Sequence, residues 1–162
     1  MADYTAAEDV ECEHVDPDFT SFDNDFGEVK INLEFPEFSH VCPVTGRPDN
    51  GVLEVTYIPD EQVLEEKSFR DYLYAYREKG IWHEAAAADI KNHIVDAVDP
   101  LFVEVEIEFK ARGGIYTTVQ AEYDDRWLSV ERWSQVWLYF LIRDASIDYP
   151  ELYFIGVEFY ER

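Results

Sequence analysis

The chain has 162 residues, 47% hydrophobic and 16% aromatic, which is one domain's length and too rich in core formers for a disordered protein. Thirty-six acids against 13 bases give a formal net charge of -23, so the surface repels phosphate backbones at low salt, which argues against a generic nucleic-acid binder. Only five of the bases are lysine; the balance reads as adaptation to high salt, where screening quenches self-repulsion, in preference to a merely well-solvated acidic surface. No stretch has the length of a membrane span, and the acidic start MADYTAAEDVECEH is unlike a signal peptide, so the expectation is a cytoplasmic protein without membrane contact.

In chain order, residues 1–27 carry many acids and no period, and read as an acidic flexible arm. VKINLEF, Val29 to Phe35, alternates as a half-buried strand does. A loop comes next, punctuated by Pro43, Gly46 and Pro48, and VLEVTYI, Val52 to Ile58, alternates again. From Ser68 the period becomes helical: Phe69, Tyr72, Leu73 and Tyr76 form one stripe, with Ser68 as the expected N-cap and Gly80 as the stop. A second helix runs from about Glu84 to Val98 with Ala86, Ile90, Ile94, Ala97 and Val98 on its apolar face. FVEVEIEF, Phe102 to Phe109, is strict alternation; Arg112-Gly113-Gly114 marks a hairpin turn, and Ile115 to Tyr123 returns. The order strand, strand, helix, helix, strand, strand predicts an α+β fold: a four-stranded, mainly antiparallel sheet with two helices on one face. The core then spans 28–123. Residues 124–162 form an aromatic extension, in which Trp133 to Ile142 and Leu152 to Tyr160 read as two strands or as a helix and a strand.

Three features bear on chemistry. Two cysteines are too few for a disulfide framework; a Cys12–Cys42 bond is the minor alternative to two free thiols. Cys42 stands in HVCPVTGRPD, with His40, Arg47 and Asp49 nearby, and a lone cysteine of this kind is more often structural than nucleophilic. No zinc-ligand spacing occurs. His83-Glu84 opens a helix, where a carboxylate suits the dipole and the bland reading is a cap. EEKSFRDYLYAYR gathers Lys67, Arg70 and Arg77 in a chain short of bases; the pairing of i,i+4 charges competes with a phosphate site at a helix N-terminus.

Together, VCPVTGRPD, VTYIPD, EEKSFR, YREKGIWHE and KARGGI resemble the single-domain 7-cyano-7-deazaguanine reductases, relatives of GTP cyclohydrolase I with the tunnelling fold. The likeness runs from about Phe35 to Ile115. It implies that Cys42 attacks the nitrile carbon to form a thioimide, that Asp49 is the proton donor and base, and that His83 assists proton transfer. It implies Glu84 on the base edge, Trp82 stacking on the heterocycle in place of the family's phenylalanine, and NADPH as cofactor on Glu65, Lys67, Ser68, Arg70 and Arg112. It further implies a homo-oligomeric ring, a pentamer or decamer with sites between subunits. Glu66 and Asp71 depart from the family pattern and put negative charge beside the expected phosphates. Two alternatives remain: an amidinotransferase adding ammonia to the nitrile in nucleic acid, and a non-catalytic purine-binding protein of the same fold.

Overall fold

A computed structural model describes residues 11–126. The strands and helices expected from 127 onward lie outside the described residues. The elements are β1 (Ser21–Asp23), β2 (Ile31–Val41), β3 (Pro48–Ile58), β4 (Gln62–Leu64), α1 (Glu66–Ala75), a 3₁₀ turn (Tyr76–Glu78), α2 (His83–Val98), β5 (Phe102–Arg112) and β6 (Ile115–Asp124). β2, β3, β5 and β6 form one antiparallel sheet in that order, and β1 pairs with β4 in a separate two-stranded ribbon.

One face of the sheet carries Leu53, Val55, Tyr57, Val103, Val105, Ile107 and Phe109, all buried. The helices lie on it. α1 and its 3₁₀ turn contribute the expected stripe of Phe69, Tyr72, Leu73 and Tyr76. α2 contributes Ala86, Ala87, Ile90, Ile94 and Val98. Ala87 stands in for the expected Ala97, which is exposed. Among the described residues no helix is long and apolar enough to cross a membrane.

Local expectations are corrected at the first helix and around Cys42. The first helix begins at Glu66, and its N-cap is Glu65, whose carboxylate accepts from the N–H groups of Lys67 and Ser68. Ser68 is inside the first turn, its hydroxyl donating to the Glu65 carbonyl. The strands around Cys42 are longer than their alternation suggests, so the connecting loop is only 42–47. The arm, over its described part, packs against the core. Val15 is buried, Phe19 meets the rings of Phe69 and Tyr72 at 5.3 and 4.9 Å, and Glu13 brackets Gly80 with two hydrogen bonds. Isolated apolar residues among many acids suffice to anchor a segment whose overall composition reads as solvated. Both cysteines are free, in keeping with the main reading of their number.

Two bulges set the direction of the side chains that matter. Phe35 pairs with Leu53 and Phe38 with Gly51, so Pro36 and Glu37 oppose Val52 alone. Phe109 pairs with Thr117 and Arg112 with Ile115, so Lys110 and Ala111 oppose Tyr116 alone. Each extra residue reverses the in–out phase of the strand beyond it. Pro36 fits such a position because it has no N–H to lose. After the first bulge Phe38 and His40 face inward; after the second, Arg112 does. Gly51 sits where the β5 backbone comes close to β3: a Cβ there would lie 2.7 Å from the Glu108 carbonyl oxygen. Gly51→Ala is therefore expected to cost about 1–3 kcal/mol in urea unfolding, the usual toll of forcing extra volume into packed structure; unchanged stability would refute the close-approach reading.

Candidate functional site

Cys42 comes directly after β2, at the head of a tight loop. Its N–H donates to the Arg47 carbonyl (2.8 Å) and its carbonyl accepts from Gly46 (2.9 Å), with Gly46 at φ +64°. Burial pushes the thiol up, but bonds from the Thr45 hydroxyl, the N–H groups of Thr45 and Val44, and Arg112 outweigh it and hold the thiol below its ordinary value. That is the environment a nucleophilic cysteine needs.

Asp49 lies in the inward row of β3, directly across from His40 on β2, and is only 4% exposed. A buried carboxylate requires partners. Arg112 supplies the main one: its Nη1 is 2.5 Å from Asp49 Oδ1, while Nη2 donates to the Pro48 carbonyl at 3.3 Å. His83 Nε2 lies 3.3 Å from Asp49 Oδ2, off the line a hydrogen bond needs, so it is an electrostatic neighbour of that oxygen. The His83 ring stacks on Phe109 at 3.7 Å, which fixes its plane.

Backbone pairing brings the start of α2 to this place. Val41 donates to the Lys79 carbonyl (2.9 Å) and accepts from Ile81 (3.2 Å), so residues 79–81 run beside the end of β2. Trp82, His83 and Glu84 come at once after them. A cavity of about 240 Å³ results, lined by Cys42, Pro43, Asp49, Trp82, His83, Glu84 and Arg112, with His40 and Ile81 at its base. α2 has no side-chain N-cap, so its first N–H groups are not closed off by Trp82.

The structure thus gathers Cys42, Asp49, Trp82, His83, Glu84 and Arg112. Arg112, expected near the cofactor, stands on Asp49. Glu65, Lys67, Ser68 and Arg70 are elsewhere, on the first turns of α1. Arg70 lines a separate cavity of about 430 Å³ with Asn32, Phe35, Glu66 and Leu73. Both bases there are engaged by one acid: Lys67 Nζ is 3.0 Å and Arg70 Nη2 3.1 Å from the Asp71 carboxylate. His40 is the site residue that sequence reasoning left without a role. It is fully buried, its ring 5.1 Å from that of His83. The signal was Pro36 inside an alternating run, which marks the phase change that turns His40 inward.

A family model described as "QueF-like protein" matches residues 48–127. The chain is 42% identical over 93 residues to the NADPH-dependent 7-cyano-7-deazaguanine reductase of Alkalilimnicola ehrlichii, covering 57% of this chain and 72% of that relative. This chain belongs to the QueF-like family. A second relative of the same name, from an Anaeromyxobacter species, is 43% identical over 60% of this chain and 80% of its own length. Among solved structures, the apo form of the archaeosine synthase QueF-Like superposes with a TM-score of 0.53 at 28% identity, over 61% of this chain and 95% of that one. The matched segment of the QueF-like model takes in Asp49, His83, Glu84 and Arg112.

The lowered thiol has a direct consequence. Alkylation of Cys42 by iodoacetamide, read by peptide mass spectrometry against pH, is expected to show a midpoint below that of an ordinary cysteine at roughly 8.5. Thr45→Val removes a donor to the sulfur and moves the midpoint up. A wild-type midpoint at or above the ordinary value would contradict this account of the loop.

Proposed function

We propose that this chain reduces the nitrile of 7-cyano-7-deazaguanine to the aminomethyl group, with Cys42 as nucleophile. The observation that carries it is a thiol of lowered pKa opening on the same small cavity as a buried, arginine-held carboxylate. A nitrile is a modest electrophile, so a thiolate and a proton source together are what it requires. The Cys42 sulfur bonds to the nitrile carbon, one C≡N electron pair moves to nitrogen, and the proton lost by the thiol reaches that nitrogen through Asp49. The product of this step is a thioimide. Arg112 keeps the Asp49 carboxyl aimed, and His83 lies beside its second oxygen to pass protons on. Glu84 accepts from the N–H edge of the base and Trp82 stacks on its face.

NADPH, when bound, supplies the hydrides that take the thioimide carbon to the amine and free Cys42. Lys67 and Arg70, with the N-terminal turn of α1, have the donor chemistry for its phosphates, and Arg70 borders an open cavity. Glu65 acts through that turn, since its carboxylate already caps Lys67 and Ser68. Ring assembly in the manner of the tunnelling fold suits a sheet whose edge strands, among the described residues, are β2 and β6, and whose hairpin tip exposes Ile115 and Tyr116.

A second reading, addition of ammonia to the same thioimide, is favoured by one likeness and one local fact. The superposed solved structure is named an archaeosine synthase, and Asp71 cancels part of the charge that phosphates would seek. The two readings share the covalent step and differ in what then attacks the thioimide carbon. Wild type mixed with the nitrile base should gain the mass of one base on Cys42, and Cys42→Ala should gain none. Base-dependent loss of NADPH absorbance selects reduction; an ammonia-dependent product without NADPH selects the amidine; no adduct at any salt concentration defeats both.

Asp71 provides a separate check on the cofactor assignment. Asp71→Asn should tighten NADPH binding about two- to fivefold at low salt, the scale of one exposed charge pair, and the gain should fade at 1 M salt. An unchanged or weakened affinity, measured by fluorescence titration, would remove α1 from the cofactor site.

A further inference from the structure

We propose that His40, His83 and Asp49 form a binding site for a divalent metal ion of the zinc class at the base of the Cys42 cavity. One ligand atom from each lies within 4.8 Å of the others. His83 Nε2 and Asp49 Oδ2 are 3.3 Å apart, the edge that two bonds of roughly 2.0–2.1 Å make at a tetrahedral centre. The third donor is the informative one. His40 is 0% exposed, and its Nδ1 lies 3.1 Å from the Val41 carbonyl oxygen. That oxygen only accepts, so Nδ1 carries the proton and Nε2 presents a bare lone pair. Nε2 has no hydrogen-bond partner among the described residues. A buried acceptor left unmet costs free energy, and a ring whose other nitrogen is tied to a backbone carbonyl is the arrangement found in metal-binding histidines.

The charges facing the site are consistent with this. Burial favours the neutral form of the His40 ring, with His83 and Arg112 acting in the same direction and the Val41 bond and Asp49 opposing. Arg112 occupies Oδ1 of Asp49 and leaves Oδ2 toward His83. Two imidazoles and one carboxylate suit Zn²⁺, Co²⁺, Ni²⁺ or Fe²⁺ and not Mg²⁺, which prefers oxygen throughout. Three protein donors leave a fourth position open toward the cavity. An ion held there takes Asp49 and His83 out of proton transfer, so the site is inhibitory; that consequence rests on the function proposed above, whereas the binding itself does not.

The test is titration of the untagged, EDTA-treated full chain with Zn²⁺ by calorimetry and with Co²⁺ by visible absorption. One equivalent per chain is expected, with Mg²⁺ not competing. His40→Ala should weaken binding by more than the roughly 10–100-fold typical of losing an outer partner, while the surface variant His14→Ala leaves it unchanged. Should His40→Ala fail to fold by circular dichroism, His83→Ala, at a partly exposed position, reads the same loss. Stoichiometry far from one, equal binding of Mg²⁺, or unaltered affinity in both variants would overturn the proposal. A nitrile adduct without metal binding removes this site and leaves the enzyme reading intact; metal binding without an adduct does the reverse.

Discussion

A carboxylate that is 4% exposed at the end of a sheet dictates much of what surrounds it. A carboxylate buried in that position requires a cation alongside, and Arg112 is placed to be that cation by the bulge immediately before it in β5. The pairing ties the start of β3 to the end of β5. Arg112 also helps to hold the Cys42 thiol below its ordinary pKa. One guanidinium therefore borders both the Cys42 thiol and the Asp49 carboxylate. The two bulges are what make the link possible: without them His40 and Arg112 would point to the opposite face.

That opposite face has its own logic. The register sets Glu34 across from Glu54, Glu54 across from Glu106, and Glu104 across from Glu122. Like charges directly opposite one another destabilise a sheet. Gln120, donating to Glu106, and the Asn32–Thr56 pair soften the ladder without removing it. A net charge of -23 is thus not spread at random: part of it is concentrated in cross-strand rows that only screening relieves. This supplies a structural basis for the salt dependence expected from composition.

The alternating strands and the helical stripes were legible because each repeats a period several times over. Phe69, Tyr72, Leu73 and Tyr76 needed no tertiary information. The bulges were not legible, since one extra residue changes phase without changing composition; only Pro36 hinted at the first. The buried arm was hidden for a similar reason, as Val15 and Phe19 are two apolar residues among acids. Cys42, Asp49, His83 and Glu84 were found through a resemblance in motif order, which says nothing about distance. Arg112 came with the same motifs but with another partner in mind. Its place on Asp49 is set by the hairpin, whose two glycines at φ +57° and +85° return the chain directly beneath it.

The central claim is that the sulfur of Cys42 bonds to a nitrile carbon within reach of Asp49. Carbon-13 NMR of the base labelled at its cyano carbon addresses this bond alone, with no cofactor present. Added to the protein, the signal should leave the nitrile region for that of a carbon doubly bonded to nitrogen and singly to sulfur, and return on denaturation. A labelled base that binds while its carbon keeps the nitrile shift would contradict the account.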